Sequence, residues 1–186
     1  MIQYPCLKQN ERNEMSKDFT FNPGDFVVYP AHGVGQVSER QNASIDGKEV
    51  DLLAIHFEKD KFTMRIPCES AINKGLRSVA SAAVMDTVVT TLKSQNKAKR
   101  QPWAKRSAEY TNKIASGDPI ALAEVVRELY HDPSLATQNY SEKQFYEKAF
   151  SRLAPEYAVV QKISENEAIA QLEGLLQKAD EESAST

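Results

Sequence analysis

The sequence has few of the residues from which catalytic and metal centres are built. Its 186 residues include two cysteines, three histidines and one tryptophan. Cys6 and Cys68 belong to no C-x-x-C pair and are too few for a disulfide framework. The histidines, at 32, 56 and 131, lie far apart in the chain, whereas a metal site requires clustered ligands. We therefore expect neither a metal nor a cofactor.

Motifs of nucleotide chemistry and of nucleophilic catalysis are missing too. A phosphate-binding loop requires G-x-x-x-x-G-K-[ST], and Gly47-Lys48 lacks the rest of that pattern. Cys68 and His56 could be imagined as a nucleophile pair. Structural roles are favoured, because Cys68 falls at a strand end and His56 lies in an alternating strand. No paired carboxylates stand out, so we expect that the protein is not an enzyme.

Long apolar runs are also absent. No stretch approaches the roughly 18 apolar residues that a membrane span requires. The N-terminal residues 1–14 contain no apolar core of a secretion signal. We expect a cytoplasmic protein that does not bind membranes, with a disordered leader at residues 1–18.

Charge is distributed unevenly along the chain. The formal net charge is −3, which by itself argues against a protein that coats nucleic acid. Residues 97–106, however, include five basic residues and no acidic one, whereas residues 165–186 include six acidic residues and one lysine. The pattern indicates one local patch for an anionic partner, and an acidic tail at residues 180–186.

Residues 19–75 have the turn signals and short apolar runs of a small β domain. An Asn-Pro-Gly-Asp turn signal precedes a strand at Phe26–Tyr29. An Asp-Gly pair then predicts a hairpin before the longest β-rich run, at residues 50–57. A further strand at residues 62–66 is stopped by proline. Four or five short strands of this kind are typical of a small, strongly bent sheet or partial barrel.

Residues 79–179 show the 3.6-residue periodicity of about five amphipathic helices. Pro102-Trp103 opens the second helix, and Gly117-Asp118-Pro119 is the pattern of a helix end followed by a new helix start. The sequence thus predicts an α+β chain, in which a small N-terminal β domain precedes an all-α domain.

Two capping boxes, at residues 141–144 and 164–167, predict the starts of the fourth helix and of the last helix. Pro155 lies inside the fourth helical pattern. Because proline removes a backbone donor and clashes with the preceding turn, we expect it to kink or divide that helix.

Four stretches between residues 20 and 130 form a specific pattern when taken in order. Residues 21–35 combine a Gly-Asp turn, an apolar strand ending in Tyr-Pro and a His-Gly corner. Residues 62–67 end in an arginine and a proline, and residues 103–106 place a tryptophan beside basic residues. Residues 115–129 carry a Ser-Gly-Asp corner before an apolar-faced helix. Together they resemble the CarD family of bacterial RNA polymerase-binding transcription regulators.

The resemblance implies a Tudor-like domain at residues 19–75 that binds the β subunit of RNA polymerase. It also implies a helical domain at residues 79–179 that contacts promoter DNA at the upstream edge of the bubble. Such a protein would stabilise open complexes, associate with the nucleoid through the polymerase and have low sequence specificity. We expect it to be a monomer.

On the DNA side, the resemblance assigns Trp103 the role of a minor-groove wedge. A planar apolar group can hold an unstacked base step. We expect Lys105, Arg106, Arg100 and Lys99 to contact phosphates, and roughly four such contacts predict a log–log salt slope near −3.6. The alternatives are that Trp103 packs in the core and that the basic residues are a solvated helix start.

On the polymerase side, the resemblance points to Arg65 and its strand, with Phe62 and Met64. An edge strand can extend a partner's sheet through backbone hydrogen bonds. The alternative is that Arg65 pairs with a local carboxylate such as Asp51 or Glu58. One basic position that some relatives use in the second strand falls near Ala43 here, where Arg40 is the available substitute.

A second class of function is also open from the sequence. The protein could be a non-enzymatic adaptor that joins another protein partner to RNA or to a second protein. Salt-dependent binding to duplex DNA with an artificial bubble, in preference to single-stranded RNA, would separate the two.

Overall fold

An antiparallel sheet is followed by a group of helices. The computed structural model describes residues 21–45, 47–94, 101–130 and 139–184. Within these ranges the strands are β1 (Phe26–Tyr29), β2 (Gly33–Ile45), β3 (Lys48–Phe57), β4 (Phe62–Pro67) and β5 (Arg77–Ser78). The helices are α1 (Cys68–Asn73), α2 (Ala82–Lys93), α3 (Trp103–Ser116), α4 (Pro119–Leu129), α5 (Tyr140–Gln161) and α6 (Glu165–Ala184). The predicted α+β class is confirmed.

The five strands form one antiparallel sheet in the order β4-β3-β2-β1-β5. The β2–β3 hairpin turns tightly, with Ile45 opposite Lys48. A β carbon at Gly35 would lie 2.7 Å from Ile55 Cγ2 and 2.9 Å from Phe57 Cε1, so the close approach of β3 at this position requires glycine. Strand β4 pairs with β3 on one side, and its other side is an edge of the sheet.

The sheet encloses its own apolar core. Its centre is fully buried, and the partly buried residues of β4 and α1 pack against it. The buried members are Phe21, Val27, Tyr29, Val37, Leu53, Ile55, Phe57, Ala71 and Leu76. The β domain therefore has the hydrophobic content to hold its strands in register.

The helical domain has a separate and larger core. Every apolar residue on the predicted face of α4 is buried, and α2, α5 and α6 contribute the facing side chains. Its fully buried larger residues include Met85, Leu92, Tyr110, Leu122, Leu129, Leu153, Leu172 and Leu176. Helix α4 is thus the central helix of the domain.

The predicted helix boundary at residues 117–119 is confirmed. Gly117 has φ +68°, the left-handed conformation that favours glycine, and ends α3. The Asp118 carboxylate accepts from Ile120 N at 3.3 Å and from Ala121 N at 3.2 Å. These are local interactions, and each needs only residues within a few positions of the others.

The second predicted capping box, at the start of α6, is also confirmed. Ser164 N donates to the Glu167 carboxylate at 2.9 Å, and Glu167 N donates to Ser164 Oγ at 3.3 Å. Ser164 Oγ also donates to the Glu167 carboxylate at 2.8 Å, and the two hydrogen bonds that this carboxylate accepts lower the pKa of Glu167, because they favour its charged form. Helix α6 then continues to Ala184, across most of the segment predicted as an acidic tail.

One expectation about α5 is wrong, and one of the two outcomes expected at Pro155 does not occur. The helix begins at Tyr140 with Asn139 as its N-cap, and the Asn139 side chain accepts from Ser141 N at 3.2 Å. The capping box predicted at residues 141–144 therefore lies inside the first turn. Pro155 does not divide the helix, which runs unbroken to Gln161. Asn139 can cap the helix in place of Ser141 because asparagine is as good an N-cap as serine. At Pro155, burial of the surrounding helical turns outweighs the loss of one backbone hydrogen-bond donor.

The two domains are joined by an ion pair between the partly buried Arg77 and the buried Glu156. Arg77, in β5, donates to both carboxylate oxygens of Glu156, in α5, at 2.6 and 2.9 Å. Arg77 also donates to the Gly117 carbonyl at 2.6 Å, and Glu156 accepts from Ala80 N at 2.9 Å. Glu156 is completely buried. One side chain of the sheet thus contacts α5 and the end of α3.

Candidate functional site

The tryptophan lies at the surface, at the first residue of α3. Trp103 is 38% exposed. Its ring meets Tyr110 and Phe145 edge-on, with ring centroids 6.4 and 6.1 Å apart. The guanidinium of Arg106 lies 5.7 Å from the ring centroid. We call Arg106, Tyr110 and Phe145 the tryptophan platform.

Arg106 is held by the protein's own groups. Its Nε donates to the Tyr110 hydroxyl at 3.0 Å, and its side chain reaches the carboxylates of Glu128 at 3.8 Å and Glu142 at 3.5 Å. The neighbouring hydroxyl and carboxylates raise the pKa of Arg106 and outweigh the opposing effect of burial. Arg106 therefore fixes the Trp103 ring, and its charge is already compensated.

Tyr110 is the buried base of the platform. Its hydroxyl donates to Glu128 at 2.8 Å, and burial together with this hydrogen bond raises the pKa of Tyr110 to about 12. It therefore stays a neutral donor at physiological pH. Trp103, Arg106 and Tyr110 are spaced i, i+3 and i+7, so their common helix face was readable from the sequence. The contribution of Phe145 was not, because it comes from another helix.

The other predicted DNA-contacting residues differ in setting. Lys105 is exposed at the start of α3, and among the described residues it makes no ion pair. Lys99 and Arg100 lie outside the described residues. Of the predicted phosphate contacts, Lys105 is thus the described residue with an uncompensated charge.

Helices α3 and α5 run in parallel, away from a common outer end. Their starts lie together, as the Trp103–Phe145 contact indicates. Their later turns also lie together, where Arg152 donates to the Ile114 carbonyl at 2.8 Å and to the Ala31 carbonyl of the sheet domain at 3.1 Å. Trp103 and Gly117 are consequently about 21 Å apart along α3, at 1.5 Å per helical residue, and a β carbon at Gly117 would lie 3.5 Å from Pro30 of the sheet domain.

The predicted polymerase-contacting residues fall on two faces of the sheet. Phe62 stacks on Phe57 at a centroid distance of 5.1 Å and lies edge-on to His32 at 5.1 Å. Met64 packs partly buried against the same core. Arg65 is exposed and points the opposite way, because alternate strand residues face opposite sides.

The carboxylates considered as partners for Arg65 are engaged elsewhere. Asp51 forms a bidentate ion pair with Arg40, and Arg40 Nε lies 2.9 Å from each carboxylate oxygen. Glu58 lies 3.3 Å from His56 Nε2. In the part of the chain that the structure describes, Arg65 forms no ion pair, so neither Asp51 nor Glu58 is its partner. Arg40 is exposed but already paired.

Two matches with family models cover most of the chain. Residues 21–80 match the one described as CarD-like/TRCF RID domain, and residues 87–173 match the one described as CarD, C-terminal domain. The chain belongs to the CarD family. The two CarD segments correspond to the sheet domain and to the helical domain.

Two known proteins are similar to this chain. The Bacillus subtilis (strain 168) protein named "Putative transcription factor YdeB" is 26% identical over 147 residues, which cover 79% of this chain and 96% of that protein. The solved 72-residue N-terminal domain of Myxococcus xanthus CarD is 27% identical. That match covers 34% of this chain and 84% of the solved domain, with a TM-score of 0.29. CarD membership and the sequence relative support a role in transcription regulation.

The described residues provide neither a metal site nor a membrane-spanning helix. No group of three or more histidine, cysteine or acidic side chains there could hold a metal ion. None of the described helices has both the length and the apolar character needed to cross a membrane. The exposed aromatic ring at the start of α3 and the open edge of β4 are two features suited to partners.

Proposed function

We propose that this CarD protein binds the RNA polymerase β subunit through the β4 edge and stabilises open promoter complexes with Trp103. The observation that carries the proposal is the exposed Trp103 ring on a fixed platform at the outer end of the helical domain. Inserted apolar rings favour distorted duplex, and a wedge acts best when its rotamer is already fixed.

The platform supplies that fixed orientation. The Arg106 guanidinium lies against the Trp103 ring and is itself held by Tyr110 and two carboxylates. Rotation of the indole would break these contacts. We therefore assign Arg106 to orienting the ring and Lys105 to a neighbouring phosphate. This division revises the expectation that both are phosphate contacts.

The β4 edge supplies the polymerase contact. In an antiparallel pair, the backbone N–H groups of one strand point alternately towards the partner strand and away from it. Pro67 has no N–H to donate to β3, so we place it among the β4 residues whose N–H positions face away from β3. Alternation puts Thr63 and Arg65 in the same set. Their backbone groups can extend a partner's sheet, and the Arg65 side chain adds a charge with no internal partner.

Tethering explains how so few DNA contacts suffice. One wedge and a small number of phosphate contacts bind DNA weakly, but a protein already bound to polymerase meets the promoter at a high effective concentration. Preferential binding to the opened promoter then shifts the equilibrium towards that state. The net charge of −3 is compatible with this, because affinity for free DNA is not required.

The emission of Trp103 tests the DNA half directly, because the chain has one tryptophan. We expect a duplex with an artificial bubble to change the emission at low salt, with less effect from an unbroken duplex. Single-stranded RNA of the same length serves as the control. A larger change with RNA than with the bubble duplex would contradict the proposal and favour the adaptor function.

A further inference from the structure

A groove between the two domains is rich in positive charge. It has a volume of about 340 Å³ and lies between α3, α5 and the β1–β2 turn. Three of its lining residues are cations, Lys74, Lys148 and Arg152, and none is acidic. We call it the junction groove.

The charges of the junction groove are not compensated within the described chain. Lys148 and Arg152 are four residues apart on α5, a spacing at which like charges repel mildly. Arg152 donates to two carbonyls, of Ile114 and Ala31, and forms no ion pair among the described residues. Burial lowers the pKa of Arg152, with no opposing effect from a carboxylate. Uncompensated cations in a groove favour binding of an anionic group from another molecule.

The groove is continuous with the tryptophan platform. Phe145 lines the groove and also contacts the Trp103 ring. Along α3, Thr111 and Ala115 of the groove lie about 12 and 18 Å from Trp103, at 1.5 Å per residue. At 3.4 Å of axial rise per nucleotide, this span corresponds to roughly four or five phosphates of one strand.

We infer that the phosphate backbone of the DNA strand next to Trp103 enters the junction groove and contacts Lys74 and Lys148. This inference rests on the proposed function, which it deepens by naming a second contact region. Trp103 would mark the distorted step, and the groove would hold the adjoining duplex. Arg152 forms the floor of the groove, where its guanidinium is fixed by the two carbonyls.

The test is the salt dependence of binding to a bubble duplex, measured by fluorescence anisotropy with the full chain. Each phosphate contact contributes about −0.9 to the log–log slope. We expect the double variant Lys74→Gln, Lys148→Gln to have a slope less negative by roughly 1.8. Both residues are exposed, so the substitutions should leave the fold intact.

A matched control removes the same charge elsewhere. Lys48, at the β2–β3 hairpin, and Lys178, on α6, are exposed and lie outside the groove lining. The double variant Lys48→Gln, Lys178→Gln should keep the slope of the intact protein. If the groove variant and this control have the same slope, the groove inference is overturned.

Two further measurements distinguish a failure of the groove inference from a failure of the proposed function. Trp103→Ala should lose the preference for the bubble and keep the slope of the intact protein. If Trp103→Ala loses that preference but the Lys74→Gln, Lys148→Gln variant also keeps the slope of the intact protein, the groove inference fails and the proposed function stands. If the intact protein shows no preference for the bubble duplex, the proposed function and the groove inference both fail. Amide shifts in the groove with inorganic phosphate, but not with duplex, would identify a site for a small anion and contradict the DNA assignment.

Discussion

Arg77→Met tests how the two domains are held together. The substitution keeps much of the side-chain volume but removes the guanidinium that pairs with Glu156. Glu156 is completely buried, so its carboxylate would keep only the hydrogen bond from Ala80 N. The loss also leaves the Gly117 carbonyl without its Arg77 donor.

The expected loss is large relative to the stability of a typical domain. Removing one partner of a buried ion pair costs about 3–5 kcal/mol, because the remaining charge stays buried and unpaired. For a chain of this length, that corresponds to a drop in Tm of roughly 6–20 °C. Replacing both partners, as in Arg77→Met with Glu156→Leu, should recover most of the loss, since no unpaired charge remains.

Urea unfolding followed by circular dichroism measures these free energies. Lys143→Met is the matched control, because Lys143 pairs with Glu147 in a bridge whose side chains are 60% and 62% exposed. Such exposed pairs contribute about 0–1 kcal/mol. The reasoning is refuted if Arg77→Met costs no more than Lys143→Met, or if the double variant is less stable than Arg77→Met alone.

Three further substitutions test the sites. Arg106→Gln should cost about 1–2 kcal/mol of stability and change the emission of Trp103. Lys105→Gln should leave stability within about 0.5 kcal/mol and make the DNA salt slope less negative by about 0.9. The reverse pattern in urea and salt titrations would contradict the division of roles between Arg106 and Lys105. Arg65→Glu should weaken binding to the polymerase β subunit in a pull-down or calorimetric titration, and equal weakening by Lys48→Glu would show a general charge effect. Gly35→Ala should cost about 1–3 kcal/mol in thermal unfolding, since its β carbon would lie 2.7 Å from Ile55; an unchanged Tm would show that β2 and β3 can separate.

Local features of the fold were predictable from the sequence. The Gly117-Asp118-Pro119 boundary and the capping box at the start of α6 depend on residues within four positions of each other. The same local view failed at α5, where two polar residues compete to cap the helix and Asn139 is the one used. The continuation of α5 past Pro155 depends on its packing against α4 and α6, which is not visible locally.

Contacts between distant residues were beyond sequence reasoning. Arg77 and Glu156 are 79 positions apart, and nothing near either one identifies the other. Strand β5, two residues long, was missed for the same reason. The positive cluster around Trp103 was recognised as one unit. Its division into a compensated Arg106 and an uncompensated Lys105 depends on Glu128 and Glu142, which come from other helices.

The lifetime of open promoter complexes made by bacterial RNA polymerase tests the central claim most directly. It would be measured with the intact protein, with Trp103→Ala and with Lys178→Gln as a surface control. We predict that the intact protein and the control lengthen the lifetime and that Trp103→Ala does not, although it still binds polymerase. An unchanged lifetime with intact protein bound to polymerase, or full activity of Trp103→Ala, would contradict the account.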